Sequence, residues 1–432
     1  MRKIYFIIIS IFTLLFVNST IAQDTVRIMQ YNLLYYGANY DNCNEITNNV
    51  ADKEQYLRKI VAYYKPDILS CNELGNKETV VDRLLDSVFN YNGNNDYARA
   101  AISNVSNSSL ITMLYYNKNK FGLLSQYGVK TKYRDFAFHK LYYKAPDLST
   151  WGDTAFINCI STHLKAGNTP EDAIERKSMV DSLMKYLNKL NTPGNYLLLG
   201  DMNFYTAFEP GFQTLVNHPN LNIRFYDPID KLGDWQNNQA FVLYHTQSTH
   251  TSGNGCPSTG GLNDRFDFIL VSSYLLNAPY KYVKYIPNSY KTPGQDGQRL
   301  NASLINPQNY SAPPDIIDAM YNLSDHLPVM LDLQIGLNVD IKENFNVGNL
   351  EINFQNPIIN DEIRLQLFSK INANINVKLY GIMGNQLFEL NKAIDKGENF
   401  INISTKNLSK GIYLLNISGQ NIYPDTFRVS IP

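Results

Sequence analysis

Between Val26 and Leu333 the chain repeats one pattern, a short apolar run that reads as a buried strand and ends in, or opens from, a polar motif. Val26-Arg27-Ile28-Met29 leads to Asn32, Asp67-Ile68-Leu69-Ser70 to Glu73, and Phe156-Ile157-Asn158-Cys159-Ile160 to His163. Tyr196-Leu197-Leu198-Leu199 leads to Asp201 and Asn203. Asp267 lies inside Asp264-Arg265-Phe266-Asp267-Phe268-Ile269-Leu270, and Ser324-Asp325-His326 precedes Val329-Met330-Leu331-Asp332-Leu333. Such punctuation leaves few ways to fold. Polar residues at the ends of several strands converge on one edge of a sheet, where a rigid scaffold can aim them at a ligand.

Amphipathic segments alternate with these runs. Val50 to Tyr64 has apolar residues at helical spacing and is ended by Pro66; Thr79 to Phe89 repeats the theme with Val80, Val81, Leu84, Leu85 and Val88. Glu171 to Leu190 is introduced by Thr169-Pro170 and stopped by Thr192-Pro193-Gly194, which predicts a helix with an acidic first turn. Leu110 to Tyr116 reads as a further strand. The pattern is that of an α/β unit with helices covering sheets. His245 to Leu262 and Asn288 to Pro314, rich in Gly, Pro, Ser, Asn and Thr, read as long loops around the active face. From about Asn344 the character changes to short alternating strands, at Leu350–Phe354, Ile363–Leu367, Ile375–Tyr380, Asn399–Ile403 and Gly411–Ile417. These imply a small all-β sandwich without a catalytic role, for it carries no His or Cys.

A chain of 432 residues with 44% apolar content predicts two folded units and a targeting segment. Residues 1–22 read as a cleaved secretory signal: Arg2-Lys3, an apolar stretch from Ile4 to Val17, then small residues to Ala22. No comparable apolar stretch recurs, so an exported protein without stable membrane insertion is expected; Cys43 lies too far downstream to carry a lipid anchor. With 38 Lys and Arg against 39 Asp and Glu, no broad positive field announces a nucleic-acid coat. A nuclease needs only a local groove, and a bound divalent ion brings its own positive charge. Cys71 and Cys159, inside apolar runs, read as buried thiols. Cys43 and Cys256 lie in Asn- and Gly-rich loops; in an exported protein they either pair as a disulfide or remain free.

A phosphodiester resists hydrolysis because its charge repels nucleophiles and its alkoxide leaves poorly. The polar motifs supply what a catalyst needs. Glu73 is a hard oxygen ligand suited to Mg²⁺ or Mn²⁺, with Asn32 and Asp325 as partners in its shell. Asp201 can orient or deprotonate water, and Asn203 can steady phosphate or Asp201 itself. His326 can donate to a nonbridging oxygen while Asp267 fixes its tautomer, and His163 is a second acid or phosphate donor. Zinc fits less well, because no His-x-x-x-His or paired-Cys spacing occurs. Plainer readings exist for single motifs: Asn32 as a turn residue, His163 as a satisfied buried histidine, Gly200-Asp201-Met202-Asn203 as an Asp-containing turn. Glu73 resists such a reading, since a carboxylate at the end of an apolar strand is costly without a cation or donor.

In this order, Gln30-Tyr31-Asn32, Asn72-Glu73, His163, Gly200-Asp201-Met202-Asn203, Arg265-Phe266-Asp267-Phe268 and Ser324-Asp325-His326 resemble the endonuclease/exonuclease/phosphatase superfamily over Thr25 to Leu333. The resemblance implies a DNase-I-like four-layer α/β/β/α sandwich at residues 23–337. It implies metal binding at Asn32 and Glu73, phosphate contacts from His163 and His326, nucleophile activation by Asp201 and Asn203, and Asp267 behind the second histidine. Arg134, in Tyr133-Arg134-Asp135, resembles an arginine that contacts phosphate in some members. Where some nucleases of the family hold an acid behind the first histidine, this chain has Ser108, Ser109 and Leu110. Residues 344–432 resemble the sorting domain recognised by type IX secretion systems of Bacteroidetes, chiefly through Lys410-Gly411-Ile412-Tyr413-Leu414, with Phe427 to Pro432 where a basic tail is usual.

The expected protein is therefore a secreted or surface-exposed, Mg²⁺- or Mn²⁺-dependent phosphodiesterase. Nucleic acid is the expected substrate, and the type IX machinery the expected partner of the terminal module. The alternative is a phosphatase or lipid phosphodiesterase, which an apolar rim near Tyr280 to Tyr290 would favour over a Lys/Arg groove. An inactive binding module is a third reading, set against the presence of Glu73, Asp201 and His326 together.

Overall fold

The computed structural model describes residues 24–40, 42–144, 154–276, 283–336, 341–342, 345–347, 349–356, 358, 361–382, 384–419 and 422–431. The expected signal at residues 1–22 lies outside them. In chain order the first part comprises β1 (Asp24–Tyr36), α1 (Val50–Tyr64), β2 (Ile68–Gly75), α2 (Glu78–Leu84), β3 (Tyr97–Arg99), β4 (Leu110–Asn117), β5 (Phe121–Val129), β6 (Phe136–Tyr143) and β7 (Phe156–His163). There follow α3 (Pro170–Leu190), β8 (Tyr196–Asp201), α4 (Pro210–Val216), β9 (Phe225–Tyr226), β10 (Asp267–Ser272), α5 (Ser273–Leu276), β11 (Val283–Tyr285), α6 (Pro314–Leu323) and β12 (Val329–Ile335). The strands make two six-stranded sheets, ordered β11-β12-β1-β2-β4-β3 and β5-β6-β7-β8-β10-β9.

Side-chain alternation decides how these sheets stack. Val26 and Ile28 of β1, Ile68 of β2 and Leu331 of β12 share one apolar core with Ile157 and Cys159 of β7, Leu197 and Leu199 of β8 and Ile269 of β10, so the sheets meet face to face. The opposite side of the first sheet, through Met29, Tyr31, Leu69 and Met113, packs on α1, α2 and α6. The opposite side of the second, through Phe138, Ile160, Leu198 and Phe268, packs on α3 and α4. The result is a four-layer α/β/β/α sandwich.

Local signals set the helix ends. The Asn49 side chain accepts from the N–H groups of Ala51 and Asp52 at the start of α1, and Lys65 ends it in the left-handed region before Pro66. Thr169 and Asp172 form a reciprocal capping box on α3, with Pro170 in the first turn. The segment expected to be helical from Thr79 to Phe89 starts at Glu78 and changes at Leu85 to one wider π turn, Leu85–Phe89. α6 starts at Pro314, where the expected loop ends, and is a helix beyond those expected from the sequence.

The C-terminal part holds β13 (Ile341–Lys342), β14 (Phe345–Val347), β15 (Leu350–Asn353), β16 (Gln355–Asn356), β17 (Glu362–Ser369), β18 (Ala373–Gly381), β19 (Gln386–Ile394), β20 (Gly397–Ser404), β21 (Gly411–Gly419) and β22 (Ile422–Ile431). Two four-stranded antiparallel sheets, β14-β15-β17-β20 and β19-β18-β21-β22, close on a core of Leu350, Ile363, Leu365, Val377, Leu415 and Val429 among others. The short β13, β14 and β16, together with β19 and β22, are not among the strands expected from the sequence. β19 is an edge strand whose residues are mostly exposed, so it carries no apolar run; β22 contains the stretch read as a tail. No helix among the described residues is long and apolar enough to cross a membrane.

Candidate active site

The site grows out of the layer between the two sheets. Along β1 the residues facing that layer run Val26, Ile28, Gln30, Asn32; along β2, Ile68, Ser70, Asn72; along β7, Ile157, Cys159, Ser161, His163; along β8, Leu197, Leu199, Asp201. Each row changes from apolar to polar toward the same edge. β10 runs antiparallel to β8 and begins at that edge, setting Asp267 opposite Asp201. β7 runs parallel to β8, setting His163 beside Asp201.

Hydrogen bonds tie the rows together. Ser70 Oγ donates to Ser161 Oγ at 2.9 Å across the sheets. Asn72 Nδ2 donates to the Thr162 carbonyl at 2.8 Å, while its Oδ1 accepts from the Asp201 N–H at 3.0 Å and from Gln30 Nε2. Asn32 Nδ2 donates to Asp201 Oδ2 at 3.0 Å, and Asn32 Oδ1 accepts from the Leu34 N–H at 2.9 Å. The Asn203 N–H donates to Asp201 Oδ1 at 3.1 Å. Asp201 is thereby held at both oxygens.

Irregular backbone does the rest of the aiming. Leu34, Tyr35, Glu73 and Asn203 all have positive φ, at 45°, 54°, 61° and 51°, where side chains other than glycine are uncommon. β1 and β2 change register between Asn32 and Tyr36, and β2 and β4 between Cys71 and Leu74. These bulges turn Glu73 out of the strand's alternation, and its Oε2 accepts from the Tyr35 N–H at 3.2 Å.

The two histidines lie on either side of Asp201. His163 Nε2 is 3.5 Å from Asp201 Oδ2 and 3.9 Å from Glu73 Oε1; His326 Nε2 is 3.7 Å from Asp201 Oδ2. His326 Nδ1 donates to Asp267 Oδ2 at 2.7 Å. Ser324 fixes the turn that carries His326: its Oγ donates to the Asn32 carbonyl at 2.7 Å and accepts from the His326 N–H at 3.1 Å. Asp325 Oδ2 accepts from the Ser258 N–H at 2.9 Å and from Gln247 Nε2 at 3.2 Å. Gln247 Nε2 also lies 2.8 Å from His326 Nε2. Arg134 Nη1 donates to the Leu164 carbonyl at 3.3 Å, and its charge reaches His163 and Glu73. Every residue singled out in the sequence as a site residue is thus drawn to this one edge.

Burial and charge split the titrations. Burial, reinforced by the Asp267 and Glu73 carboxylates, pushes Asp201 up to about 7 against the pull of His326 and the Asn32 hydrogen bond. Glu73 is raised by burial and by Asp325. For His326 burial works downward, but the Asp267 and Asp201 carboxylates prevail and hold its pKa well above the ordinary value. His163 goes the other way, depressed by burial and by the Arg134 and His326 charges. Its Nδ1 is buried without a partner among the described residues, in keeping with the missing acid near Ser108.

A divalent cation suits these residues. Ligand atoms of Glu73, His163 and Asp201 lie within 4.8 Å of one another, and Oδ1 of both Asp267 and Asp325 is buried with no hydrogen-bond partner among the described residues. Four buried carboxylates with two such orphaned oxygens form a donor set that a hard cation relieves. Glu73 is common to this trio and to the expected ligands Asn32, Glu73 and Asp325; the Asn32 amide is already engaged by Asp201 and Leu34.

Several participants went unread. Gln30 and Asn72 are polar interruptions of an alternating apolar face, and both stand in the motifs named above without a role of their own. Gln247 and Ser258 come from an irregular loop with no periodic signal. Lys53 of α1 is buried, donates from Nζ to the carbonyls of Leu33, at 2.9 Å, and Leu323, and joins the segments carrying Asn32 and Asp325; burial lowers its pKa to about 7. Cys43 and Cys256 are joined as a disulfide, and Cys71 and Cys159 are free and buried.

Residues 354–426 match the family model of the secretion system C-terminal sorting domain. That module is a type IX sorting tail and points to a secreted or surface location. No curated protein matches the chain. Among solved structures, similar ones include an endonuclease/exonuclease/phosphatase from Beutenbergia cavernae, 12% identical over 94% of this chain and 99% of that one, with a TM-score of 0.43. An endonuclease/exonuclease/phosphatase family protein from Bacteroides thetaiotaomicron is 14% identical over 73% and 100%, with a TM-score of 0.43. The human Nocturnin catalytic domain is 14% identical over 72% and 97%, with a TM-score of 0.42. These scores lie below 0.5, and the functional reading rests on the geometry above.

Proposed function

We propose that residues 23–337 form a divalent-metal-dependent phosphodiesterase of the endonuclease/exonuclease/phosphatase superfamily, an endonuclease acting on DNA or RNA, with residues 1–22 as its export signal and 344–432 as its sorting module. The observation that carries this reading is the line from Asp267 through His326 to Asp201, beside the crowded groups of Glu73 and His163.

Asp201, held by Asn32 and the Asn203 N–H and raised to about 7, is the group that accepts a proton from the attacking water near neutral pH. Asn203 keeps that water and the phosphate in register. His326, kept charged by Asp267, donates to a nonbridging phosphate oxygen and stabilises the charge that develops there. His163, depressed and therefore neutral, donates to phosphate from the other side, and Arg134 neutralises the substrate's charge. Asn32, Glu73 and Asp325 would hold Mg²⁺ or Mn²⁺. What the bound ion supplies is polarisation of a phosphate oxygen and stabilisation of the leaving oxygen.

A polar substrate is favoured by what adjoins the site. A cavity of about 580 Å³ starts two residues beyond Glu73, at Gly75, and is lined by Asn39, Asn44, Asn48, Asn76 and Lys77 among others. Such a lining suits sugar hydroxyls, bases and phosphates better than acyl chains. Within the described part of the Tyr280 to Tyr290 segment, Val283, Tyr285 and Tyr290 are buried in the core, so these three side chains offer no apolar rim to a lipid substrate.

The test is hydrolysis of plasmid DNA, RNA and bis-p-nitrophenyl phosphate by the purified mature protein with Mg²⁺, Mn²⁺ or chelator. Chelator-sensitive nicking of plasmid or cleavage of RNA is expected. Turnover of the small diester alone would overturn the nuclease assignment.

A further inference from the structure

We propose that the Cys43–Cys256 disulfide is a positioning device for Asp325, so that the site takes up its metal at full strength only once these thiols are oxidised. The inference rests on the metal-dependent reading above. Cys256 lies two residues before Ser258, and the Ser258 N–H is one of two donors to Asp325 Oδ2, at 2.9 Å. The other donor is Gln247, from the start of the same loop, at 3.2 Å; its amide also lies 3.4 Å from Ser258 Oγ. With Oδ2 so occupied, Asp325 Oδ1 is buried and unpartnered among the described residues, the oxygen available to a cation.

Both ends of that loop are hydrogen-bonded to the scaffold, and Ser248 Oγ donates to the Ser258 carbonyl at 2.6 Å; the stretch between, which leads to Cys256, has few such ties. Thr251 to Gly255 are all exposed and mostly small, and they contribute nothing to the apolar cores. The Asn254 amide donates to the Thr47 carbonyl at 3.0 Å, a single exposed bond. Cys43, by contrast, is buried and anchored in a tight turn, exchanging backbone hydrogen bonds with Tyr40 at 2.8 and 3.1 Å. The disulfide therefore transfers the order of the β1 side to a Gly- and Ser-rich segment that would otherwise retain most of its conformational freedom. Released, Ser258 would keep the Ser248 bond to its carbonyl but lose the covalent tie two residues before it, and the Asp325 carboxylate would be freer to turn away from a bound cation; partners of this outer kind commonly change metal affinity by about 10–100-fold.

Closing the bond removes two protons and two electrons from the thiols. A disulfide oxidant such as oxidised glutathione takes them and leaves as two thiols. A reducing cytoplasm keeps the thiols apart and an exporting pathway joins them, so affinity for metal is gained on leaving the cell.

The experiment is Mn²⁺ binding by the purified mature chain, read from the free-Mn²⁺ EPR signal, in three states: oxidised, reduced with a phosphine, and reoxidised with oxidised glutathione. Reduction is expected to weaken binding about tenfold and reoxidation to restore it. In an Asp325→Asn background, reduction should add little further weakening, which a merely stabilising crosslink would not predict. Equal affinity in both redox states, or an undiminished loss in the Asp325→Asn background, overturns the proposal. Where reduction unfolds the chain by circular dichroism, Ser258→Pro decides the matter: it deletes the N–H donor with the disulfide intact and should weaken Mn²⁺ binding similarly, and unchanged affinity refutes the device. A chain that binds Mn²⁺ and cleaves diesters alike in both states loses only this inference; one that does neither loses the phosphodiesterase reading itself.

Discussion

His139 is a buried histidine of the inter-sheet layer that the chemistry leaves unused. It lies on β6 two residues before Leu141, opposite Cys159 of β7, and its Nδ1 has no partner among the described residues. Burial lowers its pKa from 6.5 to about 4. The sign follows from proton counting: the unfolded ring binds a proton below about 6.5 while the folded one stays neutral until about 4. Its stabilising contribution is complete above the unfolded value and is lost as pH falls through that window, by up to about 3 kcal/mol. Urea unfolding from pH 7.5 to 4.5 should show His139→Leu losing one proton's worth of slope relative to wild type. Parallel pH profiles for the two would mean the ring is not buried neutral. The same burial acts on His163, but there Arg134 adds to it, whereas at His326 the Asp267 and Asp201 carboxylates reverse it. Two histidines on the two sides of Asp201 thus differ in charge because their neighbours differ.

At the scale of the element, the join between β7 and β8 limits the site most tightly. Gly200 pairs with Thr162, and a Cβ built on it would lie 2.0 Å from the Thr162 carbonyl oxygen. Backbone cannot yield as a side-chain tip can, so Gly200→Ala must push the strands apart where His163 meets Asp201. A loss of about 1–3 kcal/mol in stability is expected, with weaker Mn²⁺ binding; thermal melting and metal titration check both. A variant that melts and binds like wild type would show that the strands have slack. The elements also differ in how plainly they could be read. β1, β2, β4, β7, β8 and β12 are buried on both faces and announce themselves as apolar runs, and α1 and α3 carry their caps in the sequence. β3, β9 and β11 are two- or three-residue edge pieces with no room for a pattern. β5 alternates only weakly, with exposed Leu124 and Ser125 in its middle, and declares itself only through its partner β6.

For the whole molecule, the layered architecture and the convergence of the site follow from one rule legible in the chain, polar residues terminating inter-sheet rows. That rule covers Asn32, Asp201 and Asp267, which the strands place directly. The same pattern leads to Glu73 as a residue but not to its orientation, which depends on a bulge with positive φ, and it cannot supply the Gln247 and Ser258 donors, whose loop is organised by contacts distant in sequence. The pairing of Cys43 with Cys256, 213 residues apart, was likewise one of two open outcomes until the fold brought them together. The C-terminal sheets follow ordinary alternation, and residues 354–426 within that part match a sorting domain. The central claim is that Asp201 and His326 act together on a metal-bound phosphodiester. Its most direct measurement is metal-dependent turnover of bis-p-nitrophenyl phosphate by wild type, Asp201→Asn and His326→Ala, each first matched for folding by thermal melting. The account predicts kcat lowered by about 10²–10⁴-fold in each variant with melting preserved. Wild-type turnover in Asp201→Asn would contradict it.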